Sequence, residues 1–187
     1  MDVGANVGYY TALAAKQVGI GGRVIAFEPS PYAFEKLQSM VAGNRLEQVT
    51  AVHAGLSDTA GQGKLYLDAS FHNHSPSMVA HENPNATATE IKVARLDDEA
   101  TRLGIDRIDL MKIDVEGHEP KVLAGAKRLL SEGRVGAILC EFNEYWLSNS
   151  GSSPSHLGNM IRDAGFVGHE NPRNEVENCF FQLSRNH

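Results

Sequence analysis

Short apolar runs alternate along this chain with segments whose apolar positions recur at helical spacing, as they do where strands and helices take turns. Tyr10, Leu13, Ala14 and Val18 predict a helix face that stops at Gly19, a residue suited to the turn beyond a helix. Arg23 to Phe27 predicts a buried strand ending at Glu28. Ser30-Pro31 supplies a cap and a first-turn proline for a second helix, with Phe34, Leu37, Met40 and Val41 on its apolar face. Val49 to Ala54 reads as a third strand, left through Leu56-Ser57-Asp58, and Lys64 to Leu67 as an added strand or hairpin arm. Ile91 to Ala94, Ile108 to Ile113 and Val135 to Phe142 predict further strands. Asp97 is expected to cap a helix over Asp98 to Leu103. Pro120 opens a helix with Val122, Leu123, Ala126, Leu129 and Leu130 inward, and His156 to Ala164 forms another. Two closing strands are expected near Phe166 to Gly168 and Cys179 to Leu183. Asp68 to Glu90 shows neither period and predicts a long loop, of the kind that lids and binding segments use.

Strand-helix alternation predicts a doubly wound α/β fold, a mostly parallel sheet with helices on both faces. Ligands of such sheets sit beyond the carboxyl ends of the strands. That edge should carry Gly4 to Gly8, Glu28, Ser57-Asp58, Asp114 to Glu119 and Glu141. In Asp2-Val3-Gly4-Ala5-Asn6-Val7-Gly8, Gly4 would let the backbone turn sharply off the first strand. Gly8 would let a ligand approach the start of the next helix. The spacing is not a dinucleotide fingerprint, because positions 6 and 9 hold Asn6 and Tyr9. Only Met1 precedes Asp2, so the central first strand is expected to be a stub or to lack upstream sequence. Without repeats or a dividing linker, residues 1–187 read as a single domain.

Composition narrows the function. A hydrophobic fraction of 42% in 187 residues suits one soluble core. The net charge of −6, with no cluster of Lys and Arg, argues against a nucleic-acid partner. No apolar stretch is long enough for a membrane helix and no signal peptide is visible, so a cytoplasmic location is expected. Cys140 and Cys179 make neither a disulfide framework nor a metal pattern.

Glu28, at the end of the second strand, could accept hydrogen bonds from both hydroxyls of a ribose, or be a solvated strand-end carboxylate. Asp58 could receive an adenine amino group or serve a turn. Lys112-Ile113-Asp114-Val115-Glu116-Gly117-His118-Glu119 is the densest polar cluster in the chain, and its carboxylates could tune His118 as a base. His72, His74 and His81 fit no zinc spacing and are expected to be solvated.

Taken with Phe27-Glu28-Pro29, Leu56-Ser57-Asp58 and Leu96-Asp97, the stretches Asp2 to Thr11 and Lys112 to Glu119 resemble the FkbM family of S-adenosylmethionine-dependent methyltransferases. The resemblance runs in order from residue 2 to about residue 146, and the segment from Lys112 is its most specific part. It implies a class I methyltransferase (Rossmann-like) fold, seven strands with the last antiparallel. It implies S-adenosylmethionine as donor and O-methylation of a hydroxyl of a saccharide, polyketide or related small molecule. By position, Asp2, Gly4, Asn6 and Gly8 would surround the methionine part of the cofactor, Glu28 the ribose, and Ser57 and Asp58 the adenine. Asp114 to Glu119 would face the reacting centre, with His118 as base and Asp114 or Glu116 orienting it or touching the acceptor. A divalent metal at Asp114 lacks a second and third ligand that the sequence can name. The acceptor pocket is expected from Asp68 to Glu90 and from Asn143 to Ser155, where Asn73, Ser75, Asn143, Tyr145 and Ser148 suit a hydroxyl-rich molecule. Two alternatives stand beside this reading. One is a nicotinamide-dependent oxidoreductase, for which G-x-G-x-x-G and Tyr-x-x-x-Lys are both absent. The other is a truncated, non-catalytic methyltransferase-fold module.

Overall fold

A computed structural model describes residues 1–67, 76–80, 86–168 and 176–184. Its first strand, β1 (Asp2–Val3), has two residues and lies at the centre of a seven-stranded sheet. Asp2 and Val3 pair in parallel with Ala26 and Phe27 of β2 (Val24–Phe27) on one side. On the other they pair with Lys112 and Ile113 of β7 (Met111–Ile113). Outside β2 lies β3 (Val49–Val52); beyond β7 lie β8 (Ala137–Asn143), β10 (Val176–Leu183) and β9 (Phe166–Gly168). The order β3-β2-β1-β7-β8-β10-β9, with β10 antiparallel to both of its neighbours, is the class I methyltransferase sheet. A smaller sheet adds β4 (Gly55–Leu56), β5 (Gly61–Leu67) and β6 (Thr87–Ala94), with β5 and β6 antiparallel. Lys64 to Leu67 is thus the expected added arm. Ile108 lies before β7 and makes only a bridge to Val135, which shortens the strand expected from Ile108.

The helices follow the caps more closely than the apolar periods. α2 (Pro31–Gly43) begins where expected: Ser30 Oγ accepts from Ala33 N, and Leu37 is fully buried against Ala5 and Ala26. In α1 (Tyr9–Val18) the inward face is Thr11 and Ala15, while Tyr10, Leu13 and Val18 stand exposed at 44%, 49% and 42%. The predicted face is therefore the wrong one. At the start of the helix, a Cβ on Gly8 would run into Met40 and Leu37 of α2. α3 (Leu96–Arg102) starts at Arg95, so Asp97 does not cap it. Instead, the Asp97 carboxylate accepts from the N–H groups of Arg128 and Leu129 and caps α5 (Lys127–Ser131) from across the fold. α4 (Glu119–Gly125) and α5 bury Val122, Leu123, Leu129 and Leu130, as expected, and Ala126 between them is buried as well. α6 (Glu144–Asn149) was not foreseen, and α7 (Pro154–Asp163) covers the last predicted helix. No helix among the described residues is long and apolar enough to cross a membrane.

Candidate functional site

A cleft of about 300 Å³ opens at the carboxyl ends of β1, β2, β7 and β8. Gly4 (φ +79°) makes the turn out of β1, and its N–H and that of Ala5 both donate to the Phe27 carbonyl. A Cβ on Gly4 would stand 1.9 Å from the Asp114 carbonyl oxygen, so glycine is required both by conformation and by space. Gly8 (φ +97°) does other work than expected. Its missing side chain leaves room for Met40 and Leu37, and it does not line the cleft. Asp2 also stands behind the cleft: Thr11 Oγ1 donates to it at 2.6 Å, tying β1 to α1.

Glu28 lines the cleft and is buried. Asn6 N donates to its Oε2 at 2.8 Å and Ser30 N to its Oε1 at 2.7 Å, which fixes the carboxylate rigidly. Burial pushes its pKa up, against the two backbone N–H donors that pull it down. Each oxygen keeps a second lone pair for a ligand hydroxyl. Opposite, Lys112 Nζ lies 2.9 Å from Asp114 Oδ2, 3.9 Å from Asp2 Oδ1 and 4.7 Å from the centre of the Tyr10 ring. Lys112 and Tyr10, which carried no individual assignment from the sequence, line the cleft, and so does Glu141. Glu141 was foreseen only as a strand-end residue. Donor atoms of Asp114, Glu116 and Glu141 all lie within 4.8 Å of one another, a group that could gather a cation. Glu116 reaches it from a left-handed turn (φ +51°) continued by Gly117, where a Cβ would meet the Trp146 backbone. The Glu141 pKa is raised to about 8, by burial first and then by Asp114, Glu116 and Glu119, with Lys112 opposing.

Ser57, Asp58 and His118 gather elsewhere, around a second cavity of about 310 Å³ that also takes in Lys121. Ser57 Oγ donates to Asp58 Oδ1 at 2.9 Å and lies 3.0 Å from His118 Nε2. The imidazole is buried, and burial and Lys121 lower its pKa to about 4 against the pull of Asp58. It is neutral at pH 7, and the cleft beside Gly4 does not include it. Glu119 is buried too; its Oε1 accepts from Val115 N and Gly117 N, holding the turn between β7 and α4. Asn143 caps α6 by accepting from Trp146 N, while Tyr145 and Ser148 are exposed; none of the three lines the cleft. His72, Asn73, His74, Ser75 and His81 lie outside the described residues.

Residues 2–167 match the model of the methyltransferase FkbM domain. The chain belongs to that family. The match leaves the oxidoreductase alternative without support. The chain is 31% identical over 153 residues to the 31-O-demethyl-FK506 methyltransferase FkbM of Streptomyces tacrolimicus, covering 67% of this chain and 58% of that protein. It is 27% identical over 167 residues to the hexuronic acid methyltransferase AglP of Haloferax volcanii, covering 87% and 61%. The chain thus spans about three fifths of the length of these curated relatives. A methyltransferase FkbM from Methylobacillus flagellatus shares the fold, with a TM-score of 0.58 at 19% identity over 97% of this chain and 42% of that one. Fibrillarin of Aeropyrum pernix, solved with S-adenosyl-L-methionine bound, has a TM-score of 0.52 at 13% identity over 96% and 63%.

Proposed function

We propose that this chain transfers the methyl group of S-adenosylmethionine to a hydroxyl oxygen of a saccharide, polyketide or related small molecule. The observation that carries the reading is one cleft in which the Gly4 turn and the held Glu28 carboxylate face the Asp114 segment, in a member of this family. Glu28 receives the ribose hydroxyls, while Gly4 and Asn6 border the methionine part. Asp2 and Gly8 serve from behind, by bracing and packing the turn. Ala54 and Leu56, which line the cleft, border the adenine end, while Ser57 and Asp58, which follow them, face the second cavity. The sulfonium has already activated the methyl group, so the chief task is to hold donor sulfur, methyl carbon and acceptor oxygen in line. As the O–CH₃ bond forms and the S–CH₃ bond breaks, the hydroxyl proton needs an acceptor. Asp114 and Glu116, which line the cleft, suit that task better than His118, whose neutral imidazole is engaged with Ser57. The FK506 and hexuronic acid relatives, named for oxygen-rich substrates, support the acceptor class.

Calorimetric titration with S-adenosylmethionine tests the donor. Saturable heat is expected, and Glu28→Ala should weaken binding by about 1–3 kcal/mol, the loss usual for hydrogen bonds to a charged group. No heat from folded protein would overturn the reading.

A further inference from the structure

We infer that Glu141, with Asp114 beside it, reads the positive charge of the methyl donor, so that the cleft holds the sulfonium and releases the neutral thioether product. The inference rests on the donor reading above. It starts from an imbalance of charge. Among the described residues, Asp114, Glu116 and Glu141 line the cleft with a single cation, Lys112, whose ammonium is shared between Asp114 and, behind the cleft, Asp2, and lies against the Tyr10 ring. Glu119 adds a further carboxyl from α4, and on the β10 side the residue paired with Glu141 is the uncharged Asn178. Among the described residues, Glu141 Oε2 is shielded from solvent and has no hydrogen-bond partner. A half-buried carboxylate without a partner is costly unless a cation or donor comes to it.

The covalent structure of the donor brings such a cation close. Its sulfur is bonded directly to the ribose 5′-carbon, so a ribose held on Glu28 leaves the sulfur within the same cleft, between Gly4 and the Asp114–Glu141 wall. Methyl transfer removes that charge: the S–CH₃ electron pair stays on sulfur, and sulfonium becomes thioether. A site that binds through shape alone would hold both forms equally. A site that binds through charge loses affinity as the reaction finishes, which speeds product release. Burial first, and then Asp114, Glu116 and Glu119, raise the Glu141 pKa to about 8, so the carboxyl is mostly ionised only in mildly alkaline solution and a cation beside it would favour the ionised form.

The test is the ratio of dissociation constants for S-adenosylhomocysteine and S-adenosylmethionine, measured by calorimetry at pH 8.5 with EDTA present. Sinefungin, whose ammonium replaces the sulfonium, serves as a stable charged control. In the parent chain both charged ligands should bind roughly tenfold more tightly than the thioether, a modest share of a close, partly screened charge pair. Glu141→Gln, nearly isosteric, should bring the ratio close to one mainly by weakening the charged ligands. Glu141→Asp, which keeps the charge on a shorter arm, should preserve most of it. Equal affinities in the parent, or an unchanged ratio in a folded Glu141→Gln, would overturn the inference and leave the donor reading intact. Failure of every ligand to bind would instead overturn the donor reading.

Discussion

At the scale of single residues, two neighbours in one loop are set to respond to pH in opposite directions. His118 is buried as a neutral ring with its pKa lowered from 6.5 to about 4. Glu119, buried next to it, has its carboxyl raised from 4.5 to about 7, chiefly by burial. For His118 the unfolded chain binds more protons between those values, so its contribution is present above pH 6.5 and is lost as pH falls toward 4. For Glu119 the folded chain binds more protons, so its contribution is present below pH 4.5 and is lost as pH rises through 7. Thermal melts should separate them. His118→Gln should lose less stability relative to the parent at pH 5 than at pH 7, and Glu119→Gln should gain relative to the parent on going from pH 5 to pH 8. His118→Ala should cost about 1–3 kcal/mol of stability, through its lost bond to Ser57, and leave binding of S-adenosylmethionine nearly intact. A His118→Ala protein as stable as the parent would contradict this reading. Residue chemistry was only partly legible in the sequence. The acidic cluster from Asp114 to Glu119 announced itself, but whether its histidine or its carboxylates lined the cleft beside Gly4 depended on a left-handed turn at Glu116 and Gly117. Nothing in local composition reveals the direction of such a turn.

Elements were legible where chemistry is local. Ser30-Pro31 begins α2 as expected, because a cap and an N-terminal proline act within one turn. The face of α1 was misread because periodicity cannot tell an apolar stripe that packs inward from one left exposed beside a cleft of its own. That cleft, lined by Tyr10, Leu13 and Val18 among others, lies at the amino-terminal side of the sheet. Asp97 was misassigned for a related reason: its carboxylate caps a helix start some thirty residues away in sequence. Glycines show the same division. Gly4→Ala meets both positive φ and a backbone oxygen, and should destabilise by more than about 3 kcal/mol or prevent folding. Gly19→Ala meets a positive φ with ψ −168°, a region nearly reserved for glycine, but in open space, and should cost about 1–3 kcal/mol. Urea melts of the two variants check the contrast; equal losses would mean that the Gly4 contact with Asp114 is not what the turn depends on.

For the whole molecule, the cleft is built from segments that meet only because β1 pairs with both β2 and β7. A ligand that bridges them stabilises the fold as a unit. S-adenosylmethionine at a free concentration 100 times its Kd should add about 2.7 kcal/mol. Differential scanning fluorimetry should therefore show a raised Tm, and a clearly smaller rise for Glu28→Ala at the same ligand concentration. An unshifted parent Tm would count against the bridging site. The order of elements, the parallel core, the family and the strand-end groups were determined by the sequence itself. Alternation, caps and the Gly4 turn are local constraints that any folded form of this chain must obey. The partition of the candidate residues was not. Tertiary structure alone put Glu28, Asp114 and Glu141 in one cleft, sent Ser57, Asp58 and His118 to another cavity, and moved Asp2 and Gly8 behind the wall. Which side chains share a cavity depends on strand register and on where each turn points, and those are set by packing between segments far apart in the chain.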